Sequence, residues 1–238
     1  MPGLNCYSCP GAIASCPIGS LQKAYKGKWH RGTIVDKIPF YVVGLVVLFA
    51  VIFGRVICGF LCPFGLLQEI IYKIKVPKIQ KNELTRKLTN IKYIILVLFI
   101  IILPILTTMP SFCKYICPVG TLEAGLFFVA VNEQMREIIG FLFMWKVIAL
   151  IIILLASIFM YRFFCRFICP LGAFYSLFNK ISLFGYKIDI NKCTHCNACI
   201  NNCLMDVKRV GDRECIECGE CMKKCKEKAI YRFKKITS

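Results

Sequence analysis

The sequence predicts an α-helical membrane protein of three spans joined to a small α+β module at its C-terminal end. Three observations predict it. Apolar stretches near the thickness of a bilayer recur along the chain. Each runs into the same cysteine–proline–glycine motif. Two dense cysteine runs follow the last of them.

Composition sets the class. Of 238 residues, 58% are hydrophobic, and the mean hydropathy is +0.65, above the range of ordinary soluble domains. Lys and Arg number 31 against 13 acids, for a net charge of +18. The basic residues flank apolar spans rather than forming one stripe, which favours cytoplasmic loops of a membrane protein over nucleic-acid binding. Seventeen cysteines beside long apolar spans do not resemble a small disulfide-stapled scaffold. Met1–Pro10 lacks the charged start and apolar run of a signal peptide.

The elements follow in order. An N-terminal segment, 1–37, carries Cys6, Cys9 and Cys16. The first span is Ile38–Ile57. The second is Ile91–Met109, with a kink expected at Pro104. The third lies within Ile138–Phe164. There Lys146 beside Trp145 is expected near an interface, so the crossing part is 147–164. Each has about the 20 residues that a ~30 Å hydrocarbon core requires. Buried helices of a soluble bundle would carry a polar stripe, which these runs lack.

The spans belong to a repeat with a period of about 50 residues. Each ends in Cys-x3-Cys-Pro-x-Gly: "CGFLCPFG", "CKYICPVG" and "CRFICPLG". A short helix lying along the interface is expected after each. A partial copy, "SCPIGSLQKAYK", opens the chain at 15–26 without a span of its own. One crossing per copy makes neighbouring copies point to opposite faces, an inverted-repeat arrangement. Segments 54–90 and 161–192 then share the face richer in Lys and Arg, expected to be cytoplasmic. The membrane domain is 38–186. The C-terminal module, 187–238, follows on the same face.

In the module, "CTHCNACINNC" at 193–203 and "CIECGECMKKC" at 215–225 are both Cys-x2-Cys-x2-Cys-x3-Cys. This spacing resembles the bacterial two-cluster ferredoxin pattern, in which the fourth cysteine of each run ligates the other [4Fe–4S] cluster. That resemblance assigns Cys193, Cys196, Cys199 and Cys225 to one cluster. It assigns Cys215, Cys218, Cys221 and Cys203 to the other. Leu204 and Lys226 stand where the pattern usually has proline. Zinc sites use paired Cys-x2-Cys units with longer loops, so three tight cysteines plus a distant fourth favour a cubane. His195, inside the first run, is expected on the solvent side rather than as a ligand.

In the membrane repeats, cysteines four apart at a helix end share one face. The following proline stops the ladder, and the glycine lets the chain re-enter a helix. Four thiols, Cys58, Cys62, Cys165 and Cys169, are expected to meet at the inner face as a further iron–sulfur site. Arg55 and Arg162, each three residues before a first cysteine, are expected to balance its charge. The opposite face gathers Cys113, Cys117, Cys6, Cys9 and Cys16, of which four suffice for a second site. Burial of small residues explains any one of these but not four aligned copies. Disulfides in an oxidising compartment are the competing reading of the outer set.

Together these motifs resemble the NapH/MauN/NosR-type ferredoxin-like membrane proteins, over nearly the whole chain. The resemblance implies electron transfer between a quinone pool or cytoplasmic donor and a partner oxidoreductase, in the cell membrane and within a larger complex. It implies membrane lipid and a redox protein or quinone as partners. No flavin-attachment domain like that of the larger NosR-like members is expected from these 238 residues. A quinol dehydrogenase subunit is the enzyme-like alternative. It needs a polar residue to handle protons in a pocket between helices, where Lys146 and Glu123 are the ionisable residues near the apolar zone. A redox-sensing regulator or maturation factor of a metalloenzyme is the third reading. A haem wire is disfavoured: there is no Cys-x-x-Cys-His, and the two histidines, His30 and His195, lie outside the spans. No nucleophile–base pair, phosphate loop or paired carboxylate supports hydrolytic or transfer chemistry.

Overall fold

The computed structural model describes residues 16–26, 40–79, 81–107, 110–131 and 140–234. Cys6, Cys9, His30 and the span ends at Ile38 and Met109 lie outside the described residues. Helix dominates. α1 is Pro17–Lys26, α2 Phe40–Phe53, α3 Val56–Phe60 and α4 Pro63–Tyr72. Next, α5, Glu83–Thr107, is one long helical rod with a turn at Thr89–Asn90. α6, Ser111–Tyr115, and α7, Pro118–Gly120, lead through a wide turn, Thr121–Gly125, to α8, Leu126–Val131. α9 is Phe141–Phe159, α10 Phe163–Phe167 and α11 Pro170–Phe178.

Among the described residues, two helices are long and apolar enough to cross a membrane, α5 with 25 residues and α9 with 19. Only 22% and 17% of their most apolar windows are buried inside the protein. A core helix of a soluble protein would be covered; here Ile94, Val97, Ile101, Ile148, Ile152 and Leu155 face outward. α2 is as apolar, and its described part, Phe40–Phe53, ends four residues before the Ile57 at which the expected span closes. Its end is physical. Gly54 adopts φ +53, which breaks the helical path, and a Cβ there would stand 2.8 Å from Asn179 Oδ1. The third span is also displaced. α9 starts at Phe141, so Lys146 lies within it, and it ends at an extended Met160.

The kink expected at Pro104 takes another form. Residues Leu96–Ile102 widen into a π-helix, in which Leu103 N–H donates to Leu98 O. The carbonyl of Phe99 is thereby passed over, and the next donor in line would be Pro104, which has no N–H. Gln22 of α1 fills the gap, donating from Nε2 to Phe99 O at 2.8 Å. The partial N-terminal repeat is thus tied to the second rod.

The buried face of α9, Leu150, Ile153 and Ser157, runs at helical spacing and packs on α4. α11 packs on α5 and α2. The C-terminal module is built on an antiparallel pair, β1 Phe184–Ile188 with β2 Ile230–Lys234, in register Phe184↔Lys234 to Ile188↔Ile230. It carries two short helices, α12 Ala198–Asn201 and α13 Glu220–Lys224. Met205, Val207 and Ile216 form its small core.

Candidate iron–sulfur sites

The first and third repeats build the same local frame. Arg55 and Arg162 precede α3 and α10, which carry the first cysteines, Cys58 and Cys165. Cys62 and Cys169 N-cap α4 and α11 with extended backbones, ψ 110 and 112, and proline follows at the first helical position. Proline fits there because that N–H has no intrahelical partner to lose. The motif's glycine lets the new helix fold over its own first cysteine. A Cβ on Gly65 would lie 3.3 Å from Cys58 O, and one on Gly172 3.3 Å from Cys165 O.

The structure brings these four thiols together. All are buried. Cys169 lies within electrostatic reach of Cys165, Cys58 and Cys62, and Cys165 of Cys62 and Cys58. Two sulfurs accept hydrogen bonds at 3.3 Å: Cys165 Sγ from Gln68 Nε2, and Cys169 Sγ from the Gly172 amide. Gln68 is itself fixed, because Phe164 N–H donates to its Oε1 at 3.0 Å.

Three buried cations surround them. Arg55, with 0% exposure, donates Nη1 to Glu214 at 2.9 Å and to Arg213 O at 3.0 Å. Its Nε and Nη2 are buried without a hydrogen-bond partner. Arg162 donates to the carbonyls of Cys58 and Gly59 and pairs with Glu69. Lys92, also fully buried, pairs with Glu214. All three act electrostatically on Cys58, and Lys92 on Cys169 as well. Buried cations demand anions. Glu69 and Glu214 supply two, and the open donors of Arg55 remain. A thiolate-bound, net-negative group fits this setting.

In the module, Cys193, Cys196, Cys199 and Cys225 line one cavity of about 460 Å³. Cys215, Cys218 and Cys221 each lie within electrostatic reach of Cys203, and Cys221 of Cys218 as well. Three of them, Cys203, Cys215 and Cys218, pack on the small core. Both runs share a backbone device. The residues flanking the second cysteine are left-handed, His195 and Asn197 at φ 53 and 55, Glu217 and Gly219 at φ 54 and 80. Such turns curl successive N–H groups into a concavity that holds anions, iron–sulfur clusters among them. No three His, Cys, Asp or Glu side chains among the described residues converge on a single metal ion. Thiolates that hold a multi-iron cage by its corners stand farther apart. Burial pushes the Glu217 carboxyl up to about 8, against the pull of Arg232. His195 is exposed.

The two regions meet directly. A Cβ on Gly59 would lie 2.7 Å from Ile216 O, so the loop between Cys215 and Cys218 rests on the turn after Cys58. Asn179 donates to Asp212 O at 2.8 Å and Cys215 O at 3.0 Å. Lys81 donates to Cys203 O at 2.8 Å, Arg166 pairs with Asp206, and Arg86 pairs with Asp212 at 3.1 Å.

Of the outer set, Cys113 and Cys117 are half-buried on and after α6. That helix is near the start of α9, since Trp145 Nε1 donates to Tyr115 O at 3.3 Å. Cys16 is buried in the same core as the inner four. The buried Tyr175 lies within electrostatic reach of Cys16 and of Cys58, Cys169 and Cys62. Sequence reasoning missed Gln68, Lys92 and Glu214. The signal for Gln68 was present: Gln22, Gln68 and Glu123 each stand six residues after a Cys-Pro cysteine, a polar side chain repeated in apolar company.

The family described as 4Fe-4S binding domain matches three successive segments, residues 38–82, 89–133 and 141–191. The uncharacterized protein MJ0750 of Methanocaldococcus jannaschii is 33% identical over 86% of this chain and 83% of its own length. The putative electron transport protein YccM of Escherichia coli is 23% identical over 86% of this chain and 56% of its own. The methylamine utilization ferredoxin-type protein MauN of Paracoccus denitrificans is 28% identical over 79% of this chain and 60% of its own. No solved structure matches. With three copies of the domain and relatives across most of its length, the chain belongs to the 4Fe-4S binding domain family, among the NapH/MauN/NosR-type ferredoxin-like iron–sulfur proteins.

Proposed function

We propose that this chain is a membrane-bound electron carrier linking a cytoplasmic two-cluster ferredoxin module to an acceptor or donor in the membrane or at its far face. One observation carries the reading: the Gly59–Ile216 approach, which brings a cysteine loop of the module against the Cys58 turn. The relatives' names agree, one being a ferredoxin-type and one a putative electron transport protein. Bound iron–sulfur clusters supply one-electron transfer at the potentials that their surroundings set. Cys193, Cys196, Cys199 and Cys225 would hold one, and Cys203, Cys215, Cys218 and Cys221 another. Cys58, Cys62, Cys165 and Cys169 would hold a third.

The residues around the inner site then have distinct work. Arg55, Arg162 and Lys92 offset negative charge. Gln68 and the Gly172 amide donate to sulfur. The apolar shell of Ile57, Phe64 and Phe164 keeps water out. A ~30 Å hydrocarbon core is long for one transfer. A second site from Cys113, Cys117, Cys6, Cys9 and Cys16 would divide it, with three crossings alternating the repeats between faces. A quinone is the second reading: the apolar crevice among Ile18, Leu21, Val46, Leu96, Leu171 and Phe174 would take an apolar ring or tail, but it offers no polar side chain to handle protons. Lipid, a redox protein and a larger complex are the partners this role requires.

The test is a count of iron and sulfide after anaerobic purification, repeated with Cys58→Ser and Cys62→Ser together. The unaltered chain is expected to exceed the about eight irons of two cubanes, and the variant to lose about four. A count of about eight in both would remove the inner site.

A further inference from the structure

Three acids of the C-terminal module face the helices. Asp206, Asp212 and Glu214 turn toward the helices and meet Arg166, Arg86 and the Arg55–Lys92 pair. The polar ties to the helices come from residues 200–216, and Phe184 of β1 stacks on Phe53 of α2. Away from them, the cavity of Cys193, Cys196, Cys199 and Cys225 opens to solvent, and Cys196 is itself exposed. Its lining includes Arg209, Lys224 and Lys226 against the single acid Glu227. All three cations are exposed. With these three acids drawn inward, and Asp189 and Glu220 paired with Lys192 and Lys223, the cavity rim presents net positive charge around the module's exposed cysteine.

We infer that this face is the docking surface for a small acidic electron-carrier protein, and that Arg209, Lys224 and Lys226 steer it onto the Cys196 side of the module. The inference rests on the electron-transfer reading and adds to it the port and the class of partner. Opposite charges speed encounter and fix orientation more than they add affinity, and the effect fades as salt rises. One electron leaves the docked carrier's own redox centre and is taken up at the group held by these four cysteines; no bond forms or breaks. The 203/215/218/221 set packs toward the helices, so an electron accepted at the 193/196/199/225 set moves inward by way of the Cys215–Cys218 loop.

The test uses the full chain in nanodiscs of neutral lipid, reduced by a net-negative [2Fe–2S] ferredoxin in stopped flow. The expected rate falls steeply between low and high ionic strength. Lys224→Glu with Lys226→Glu, and separately Arg209→Glu, are expected to slow it about 10-fold or more at low salt and to flatten the salt dependence. Iron content, and reduction by photoreduced deazaflavin, are expected to stay as in the unaltered chain. Lys224→Gln with Lys226→Gln is expected to give an intermediate rate, which separates charge from misfolding. A chain without iron overturns the electron-transfer reading and this inference with it. A chain that holds iron, accepts electrons from deazaflavin, yet reacts with ferredoxin at a rate indifferent to salt and to these changes overturns the docking inference alone. Charge sensitivity that appears only in nanodiscs of anionic lipid assigns the face to the membrane surface and also overturns it.

Discussion

The Glu214 carboxylate stands 2.9 Å from the guanidinium of Arg55, a residue 159 positions away and fully buried. Burial opposes charge on Glu214, but Arg55 and Lys92 together hold its carboxyl below the usual range. Replacing Glu214 by Gln leaves two buried cations without their anion. Removing one partner of a buried pair typically costs about 3–5 kcal/mol. The expected outcome is a module that opens from the helices, read as faster hydrogen exchange in 200–216 and proteolysis near 184–190. Unchanged protection would mean that the pair does not hold the interface.

Gly59→Ala tests the contact between the same two regions by shape alone. The added carbon would stand 2.7 Å from the Ile216 carbonyl, a backbone atom that cannot swing aside. Overpacking of this kind costs about 1–3 kcal/mol. Thermal unfolding of the module is expected to shift down, while helix content is retained.

Gln68→Leu removes the donor to Cys165 Sγ and the acceptor for Phe164 N–H. A donor to a thiolate withdraws negative charge and favours the reduced, more negative state. The inner site's reduction potential is therefore expected to fall in an EPR-monitored titration, with stability down by about 1–3 kcal/mol for the unpaired amide. A potential equal to that of the unaltered protein would argue that Gln68 is structural only.

Asp212 gives the interface an acid limit. Burial opposes its ionisation, yet the amides of Lys208 and Arg213, with Arg86, hold its carboxyl below the ordinary value. A depressed carboxyl contributes stability that is present above the ordinary pKa and is lost as pH falls through the folded one. Asp212→Asn is expected to weaken the module near neutral pH. Its difference from the unaltered chain should shrink as the pH is taken below about 4. A difference that persists in acid would assign the effect to the hydrogen bonds rather than to charge.

The cysteine spacings, the repeat and the apolar rods were legible because each is written within a few dozen residues. The frame around Cys58 and Cys165 was legible in part, since Arg55, Arg162 and the motif glycines recur at fixed offsets. Lys92 and Glu214 were not, because their roles come from pairing across 122 positions. Nor was the early end of α2, which depends on how closely Asn179 approaches Gly54. The π-helix before Pro104 was announced by the proline, but the answering donor, Gln22, lies 77 positions upstream of Phe99.

The inner thiols also impose an order on biosynthesis. Cys58 and Cys62 leave the ribosome about a hundred residues before Cys165 and Cys169, which at ~5–20 residues per second is roughly 5–20 s. During that time the early pair is a bare dithiol, open to oxidation or to a stray metal. On the proposed reading, a cluster shared by the two motifs could load only after the last repeat is made, so a ribosome stalled between them would release a chain with half a ligand set and nothing to close it.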